Sequence, residues 1–179
     1  LTGDNFEAAL IEAQKFCKKK KLPFIHPFDD PLVIAGQGTV GKEIIDQFSD
    51  SLHAVFVAVG GGGLIAGIGA YIKSIDPKIK IIAVEAADAA GLNSALKANK
   101  RIKLKEVGLF ADGAAAKQIG VHNYKLIKEW IDGSITVSTD EICAAVKDTF
   151  IDTRSVPEPT GALALAGLEK YVRQKGLKN

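Results

Sequence analysis

Five apolar residues, Val55-Phe56-Val57-Ala58-Val59, run directly into four glycines, Gly60-Gly61-Gly62-Gly63, and then into Leu64-Ile65-Ala66-Gly67. A β-branched apolar run of this length predicts a buried parallel strand. Four glycines strip the turn of every Cβ, so successive backbone amides can close around an anion. The small apolar continuation to Ile75 predicts a helix whose N-terminal amides and dipole face the same point. Strand, glycine loop and helix describe a phosphate cradle, and that pattern constrains how the remaining residues fold around it.

At 179 residues the chain is one domain or a large piece of one. It is 47% hydrophobic and 25% charged, ordinary for a globular chain with a core. A net charge of +2 is too small to argue for nucleic acid or an anionic membrane surface. The only dense charge run, Lys18-Lys19-Lys20-Lys21, reads as a solvated helix end whose lysines favour the negative pole of the dipole. Cys17 and Cys143 fit no metal or redox spacing and read as buried free thiols in a reducing compartment. No apolar run approaches the roughly 20 residues that span a bilayer, and the N-terminus is too polar for a signal peptide. A chain that opens on Leu1 and has no methionine reads as a piece of a longer product.

Along the chain, Asp4 and Glu7 form a capping-box pattern before a helical stripe that ends near Lys20. Pro23 follows, then a short strand candidate at Phe24-Ile25 and the turn cluster Pro27 to Pro31. A helix is expected from Leu32 to Phe48, with Gly36 and Gly38 weakening its first turns. The Val55–Val59 strand, the Leu64–Ile75 helix and an Ile79–Val84 strand come next, the two strands expected to be parallel neighbours. Further helices are expected at 93–98, 121–131, 140–153 and 160–174, with a strand at 134–137 and an irregular stretch at 104–117. The alternation predicts an α/β fold, a parallel sheet with helices on both faces.

The glycine loop admits three occupants. Gly61-x-Gly63-x-x-Ala66 satisfies a dinucleotide fingerprint, with Glu85 at 22 residues past Gly63 as the ribose-binding acid. This supports an NAD-dependent oxidoreductase, although a run of glycines satisfies many glycine patterns by accident. A phosphate-bearing cofactor held by a single terminal phosphate, such as pyridoxal phosphate, suits a four-glycine nest better. A ligand-free turn needs only one glycine, and four carry a large entropic cost.

Longer segments add a resemblance. Pro27-Phe28-Asp29-Asp30-Pro31-Leu32-Val33-Ile34-Ala35-Gly36-Gln37-Gly38-Thr39, Val59 to Leu64, Val107-Gly108-Leu109-Phe110-Ala111-Asp112-Gly113 and Glu158-Pro159-Thr160-Gly161 through Gly167 closely resemble the threonine dehydratase family. That family belongs to the tryptophan-synthase-β-like, fold type II pyridoxal-phosphate enzymes. The similarity runs from about Gly3 to Tyr171 and leans toward the biosynthetic type. The glycine loop and Gly36 to Thr39 are shared with serine racemases and serine dehydratases, which keeps those activities open.

The resemblance implies that Gly60, Gly61, Gly62, Gly63 and the Leu64 amide hold the cofactor phosphate. It implies too that Gly113 presents a carbonyl near the cofactor ring and that Glu158 lies at the pocket rim. Without it, Gly113 reads as a plain turn and Glu158 as a helix-start carboxylate before Pro159. The family's Schiff-base lysine, in a Ser-x-Lys-x-Arg type segment, has no counterpart among these residues. Its ring-contacting asparagine and its pyridine-nitrogen serine have none either. The expectation is therefore the partial large catalytic domain, without the small domain or the regulatory domain, and with no catalytic residue of its own. A non-catalytic phosphate-binding domain remains the other class.

The whole enzyme is implied to deaminate L-threonine to 2-oxobutanoate and ammonia in isoleucine biosynthesis. It would act on a small amino acid as a cytoplasmic homo-oligomer, without nucleic-acid or membrane partners. Glu85 matches the glutamate with which similar serine racemases bind a divalent cation. Gly91 stands where their aspartate would be, so no metal is expected. His26, His53 and His122 have no ligand spacing and read as surface or turn residues.

Overall fold

A computed structural model describes residues 2–3, 6–48 and 52–177. Its element order is α1 (Phe6–Lys20), α2 (Pro31–Gln47), β1 (Ala54–Ala58), α3 (Gly63–Ile75), β2 (Lys80–Ala86), α4 (Gly91–Lys97), α5 (Val121–Trp130), β3 (Gly133–Val137), α6 (Thr139–Thr153) and α7 (Pro159–Lys175). The three strands form one parallel sheet in the order β1-β2-β3, with Val57 opposite Ala83 and Val84 opposite Ile135. The expected pairing of the first two strands is thus present, in register over the whole of β1.

Side chains alternate across the sheet, and each face has its own core. Val57, Val59, Ile81 and Ala83 pack with Ile65, Ile68 and Ile72 of α3 and Ile127 of α5. On the other face Val84, Ala86 and Val137 pack with Ile142 of α6 and Leu163 and Ala166 of α7. The apolar runs Val55–Val59 and Ile81–Val84 follow from this double covering. α2 lies outside α3, one layer further from the sheet.

Local chemistry sets the helix ends. Asp30 caps α2 by accepting from the amides of Leu32 (2.8 Å) and Val33 (3.4 Å), with Pro31 in the first turn. Ser138 and Glu141 form a reciprocal capping box on α6. α7 starts at Pro159 and ends on Gly176 in the left-handed region. The Asp4 part of the capping box expected for α1 lies outside the described residues.

Three expectations are corrected. Phe24 and Ile25 form no strand: the sheet of the described residues consists of β1, β2 and β3, and neither residue pairs with it. α2 is regular through Gly36 and Gly38, since Gly38 and Gly41 are where its backbone meets that of α3. A Cβ on Gly38 would lie 3.3 Å from the Gly67 carbonyl oxygen, and one on Gly41 would lie 3.2 Å from that of Ile68. Finally, the thiols are free but not buried. Cys143 is exposed on α6, whose buried positions are Ile142 and Ala145, and Cys17 is half-buried on α1, a helix with no fully buried residue. The lysine run is solvent-exposed at the end of α1, as expected.

Candidate functional site

The chain leaves the sheet after Ala58, and the Val59 amide makes a last bond to the Val84 carbonyl (2.9 Å). Gly62 then takes φ +91°, ψ 0°, a left-handed conformation open mainly to glycine, and α3 begins at the next residue. The first helical bond is Ala66 N–H to Gly62 O at 3.0 Å. The amides of Gly61, Gly62, Gly63 and Leu64 donate to no group among the described residues. They are the orphan donors of a helix N-terminus, extended backwards by the glycine turn.

These glycines line a cavity of about 320 Å³, together with Phe28, Gly113 and Thr160. Gly113 stands beside Thr160, so close that a Cβ on it would lie 3.0 Å from Thr160 Oγ1. That hydroxyl is buried and without a hydrogen-bond partner among the described residues. Unpaired amides, a positive helix end and an orphaned hydroxyl form a donor-rich cradle that fits a phosphate monoester. Among the described residues no lysine, histidine or carboxylate lines it.

The cradle's walls explain the glycines differently from the sequence. The sequence suggests that side chains there would fill the anion's volume. In the structure a Cβ on Gly61 would fall into the Phe28 ring, and one on Gly60 would lie 2.9 Å from Ala114 Cα. A Cβ on Gly62 would lie 2.9 Å from Ile127 Cδ1. The loop lacks side chains because protein packs tightly behind it.

Glu158 is exposed at the N-cap of α7 and makes no side-chain cap bond. Of its motif, Thr160 is the residue that lines the cavity. His26 organises the preceding turn, its Nδ1 accepting from the amides of Phe28 (3.3 Å) and Asp29 (3.0 Å). His53 and His122 are exposed. Among the described residues no group of three or more His, Cys, Asp or Glu is arranged to hold a metal ion.

Glu85 overturns the dinucleotide reading. It is fully buried on β2, and its oxygens accept from the α4 amides of Leu92 and Asn93, each at 2.7 Å. Both oxygens are therefore occupied by backbone, and no ribose hydroxyl can reach them. Burial lifts its carboxyl from an ordinary 4.5 to about 7, against the two amides that pull it down. The native state consequently binds this proton more tightly than the unfolded chain does. Stability should fall as pH rises from about 4.5 to about 7, by about 3 kcal/mol in all, and then level off. Denaturant titrations across that range should show the slope, and Glu85→Gln, which carries no proton to lose, should remove it.

The sequence did not single out Asn123 or the carboxylate of Asp29 for any role. Asp29 reaches across the fold to cap α5, accepting from the amides of Val121 (2.7 Å), His122 (2.9 Å) and Asn123 (3.1 Å). Asn123 is fully buried. A polar residue within an otherwise amphipathic helix was its only signal. Phe28 and Thr160 were legible only as members of longer motifs.

A parallel sheet covered on both faces, with a donor-rich loop where a strand passes into a helix, defines an α/β domain able to bind a phosphate group. The chain matches the family model "Pyridoxal-phosphate dependent enzyme" over residues 1–179. It is 51% identical to the biosynthetic L-threonine dehydratase of Burkholderia multivorans, covering 99% of this chain and 35% of that protein. It is 53% identical to the mitochondrial threonine dehydratase of Schizosaccharomyces pombe, covering 100% and 30% respectively. The processed form of threonine deaminase isoform 2 from Solanum lycopersicum superposes with a TM-score of 0.96 at 44% identity, over 100% of this chain and 49% of that one. This protein belongs to the pyridoxal-phosphate-dependent enzymes, with their fold type II architecture. The chain spans about a third of the length of the two curated relatives.

Proposed function

We propose that the intact protein is a pyridoxal-phosphate-dependent ammonia-lyase that converts L-threonine to 2-oxobutanoate and ammonia at the head of isoleucine biosynthesis. The observation that carries this reading is the cradle of unpaired Gly61 to Leu64 amides, in a chain about half identical to proteins named threonine dehydratase. When bound, the cofactor supplies an electron sink for loss of the Cα proton and the β-hydroxyl.

The residues of this chain bind and orient. The four amides and the α3 dipole hold the phosphate dianion, and the Thr160 hydroxyl donates from the opposite wall. Gly113, whose missing side chain makes room for Thr160, offers its carbonyl beside the ring. Glu158 lies at the rim. Residues 1–179 form the central part of the large catalytic domain. The proton-abstracting lysine belongs to a smaller domain, and a regulatory domain completes the enzyme. The intact enzyme is a cytoplasmic homo-oligomer, a state supported by the exposed Phe150, Ile151 and Val156.

The test is product analysis on the intact protein supplied with L-threonine and, separately, L-serine. The expected result is 2-oxobutanoate formation with a higher kcat/KM than that for pyruvate from serine, and pyridoxal phosphate that survives dialysis. Serine deamination or racemisation without turnover of threonine would redirect the reading to the serine enzymes.

A further inference from the structure

Behind the glycine loop lies a buried polar contact that packing alone does not require. Asn123, on the first turn of α5, is fully buried. Its Nδ2 donates to the carbonyls of Gly61 (2.9 Å) and Phe28 (2.7 Å). Both partners are carbonyl oxygens, so only the amide nitrogen can meet them. The Gly120 amide also donates to the Gly61 carbonyl, at 3.1 Å. That oxygen is therefore pinned from two sides on the face away from the cavity.

In a trans peptide the carbonyl and the following N–H point in opposite directions. Holding Gly61 O toward α5 thus aims the Gly62 N–H the other way, toward the cavity. The Phe28 carbonyl, one residue from Asp29, is held by the same amide nitrogen, and Asp29 in turn caps α5. The other atom of the amide, Asn123 Oδ1, is buried with no partner among the described residues. A residue present only to fill space would avoid that cost, which an apolar side chain does not incur. The donor end is what the site uses.

We propose that Asn123 is a positioning residue for the phosphate cradle: through the Gly61 carbonyl it sets the direction of the loop amides, and so the affinity for the phosphate group. This rests on the reading of the loop as the cofactor's phosphate site. The test uses intact apoenzyme and compares two probes, pyridoxal phosphate and pyridoxal, which differ only in the phosphate. Wild-type enzyme should bind the first far more tightly.

Asn123→Asp keeps the shape but turns a carboxylate oxygen toward two carbonyl oxygens. It should weaken pyridoxal phosphate about ten- to a hundredfold, with pyridoxal changed less than about threefold. Inorganic phosphate protection against heat should fall in parallel. Ile72→Val, in the core beneath α3, serves as a destabilised control and should leave the ratio of the two affinities unchanged.

A ratio reduced less than about fivefold in folded Asn123→Asp overturns the inference. Should that variant not fold, Asn123→Ser, too short to span both carbonyls, gives the same readout. Failure of both to fold, with Ile72→Val folded, would assign Asn123 to the fold alone and overturn the inference equally. If the wild type shows no preference for the phosphorylated probe, the cradle reading itself falls, and that result is distinct from a preference that survives in Asn123→Asp.

Discussion

Gly62→Val in the intact enzyme is expected to lose pyridoxal phosphate affinity by several orders of magnitude and to melt earlier than wild type. A valine at φ +91° sits in backbone space that branched residues rarely enter, at about 1–3 kcal/mol. Its Cβ also meets Ile127 Cδ1 at 2.9 Å. The loop can relieve this only by rotating its peptides, and rotated peptides no longer aim their amides together. Losing two or three charge-assisted contacts at roughly 1.5–3 kcal/mol each accounts for the affinity change.

Gly61→Val should do the same by displacing the Phe28 ring, which its Cβ would enter. Stability and affinity are coupled here because the residues behind the loop also set its shape. Gly67→Ala is not a mild control, since its Cβ would strike the Ile34 carbonyl and lie 2.6 Å from the Gly38 amide, driving α2 off α3. Gly36 is the better one: nothing lies within 4 Å of a Cβ there, and Gly36→Ala should gain about 0.5–1 kcal/mol as a helical substitution. Equilibrium dialysis with thermal melts on the same samples decides the matter. Wild-type affinity in Gly62→Val would place the phosphate elsewhere.

Residues 1–179 expressed alone should produce no 2-oxobutanoate from threonine above the rate given by free pyridoxal phosphate. None of the described lysines lines the cradle. Several have other partners: Lys73 pairs with Asp132 at 2.7 Å, Lys170 with Glu141 at 2.9 Å, and Lys15, Lys42 and Lys103 pair with Glu12, Asp46 and Glu7. Catalytic groups that act as a covalent unit lose orders of magnitude when one is removed, more than binding contacts recover. A coupled assay at millimolar threonine, with circular dichroism to show the fragment folded, is sufficient. Turnover by the fragment would mean that the base lies within these residues and that the division of labour between domains is wrong.

The sheet and its glycine loop were legible because their causes are local. Val55 to Val59 is apolar throughout and Ile79 to Val84 is apolar at every position but Lys80, as a doubly covered strand demands, and β1 and β2 fall within two residues of those limits. The capping box at Ser138 and the proline at α7's start are likewise short-range signals. Phe24-Ile25 misled because β-propensity says nothing about whether a partner strand is within reach.

Glu85 misled for a related reason. Its spacing from the glycines matches a ribose-binding acid, but spacing is measured along the chain, and α4 folds back to occupy both of its oxygens. Gly38 looked like a weak point in its helix, and it is where α2 meets Gly67 of α3 backbone to backbone.

The sequence by itself determined the alternation of strands and helices, the parallel sheet and the position of a loop able to hold a phosphate. Those features depend on residues within a few positions of one another, through hydrophobic period, glycine's freedom and helix polarity. Only the tertiary structure decided which way the loop's amides face. That depends on Asn123 meeting the Gly61 carbonyl 62 residues away and on Asp29 meeting α5 across 92 to 94. No local pattern encodes such contacts, because their partners are backbone carbonyls and amides, which every residue carries and which only the folded chain brings together.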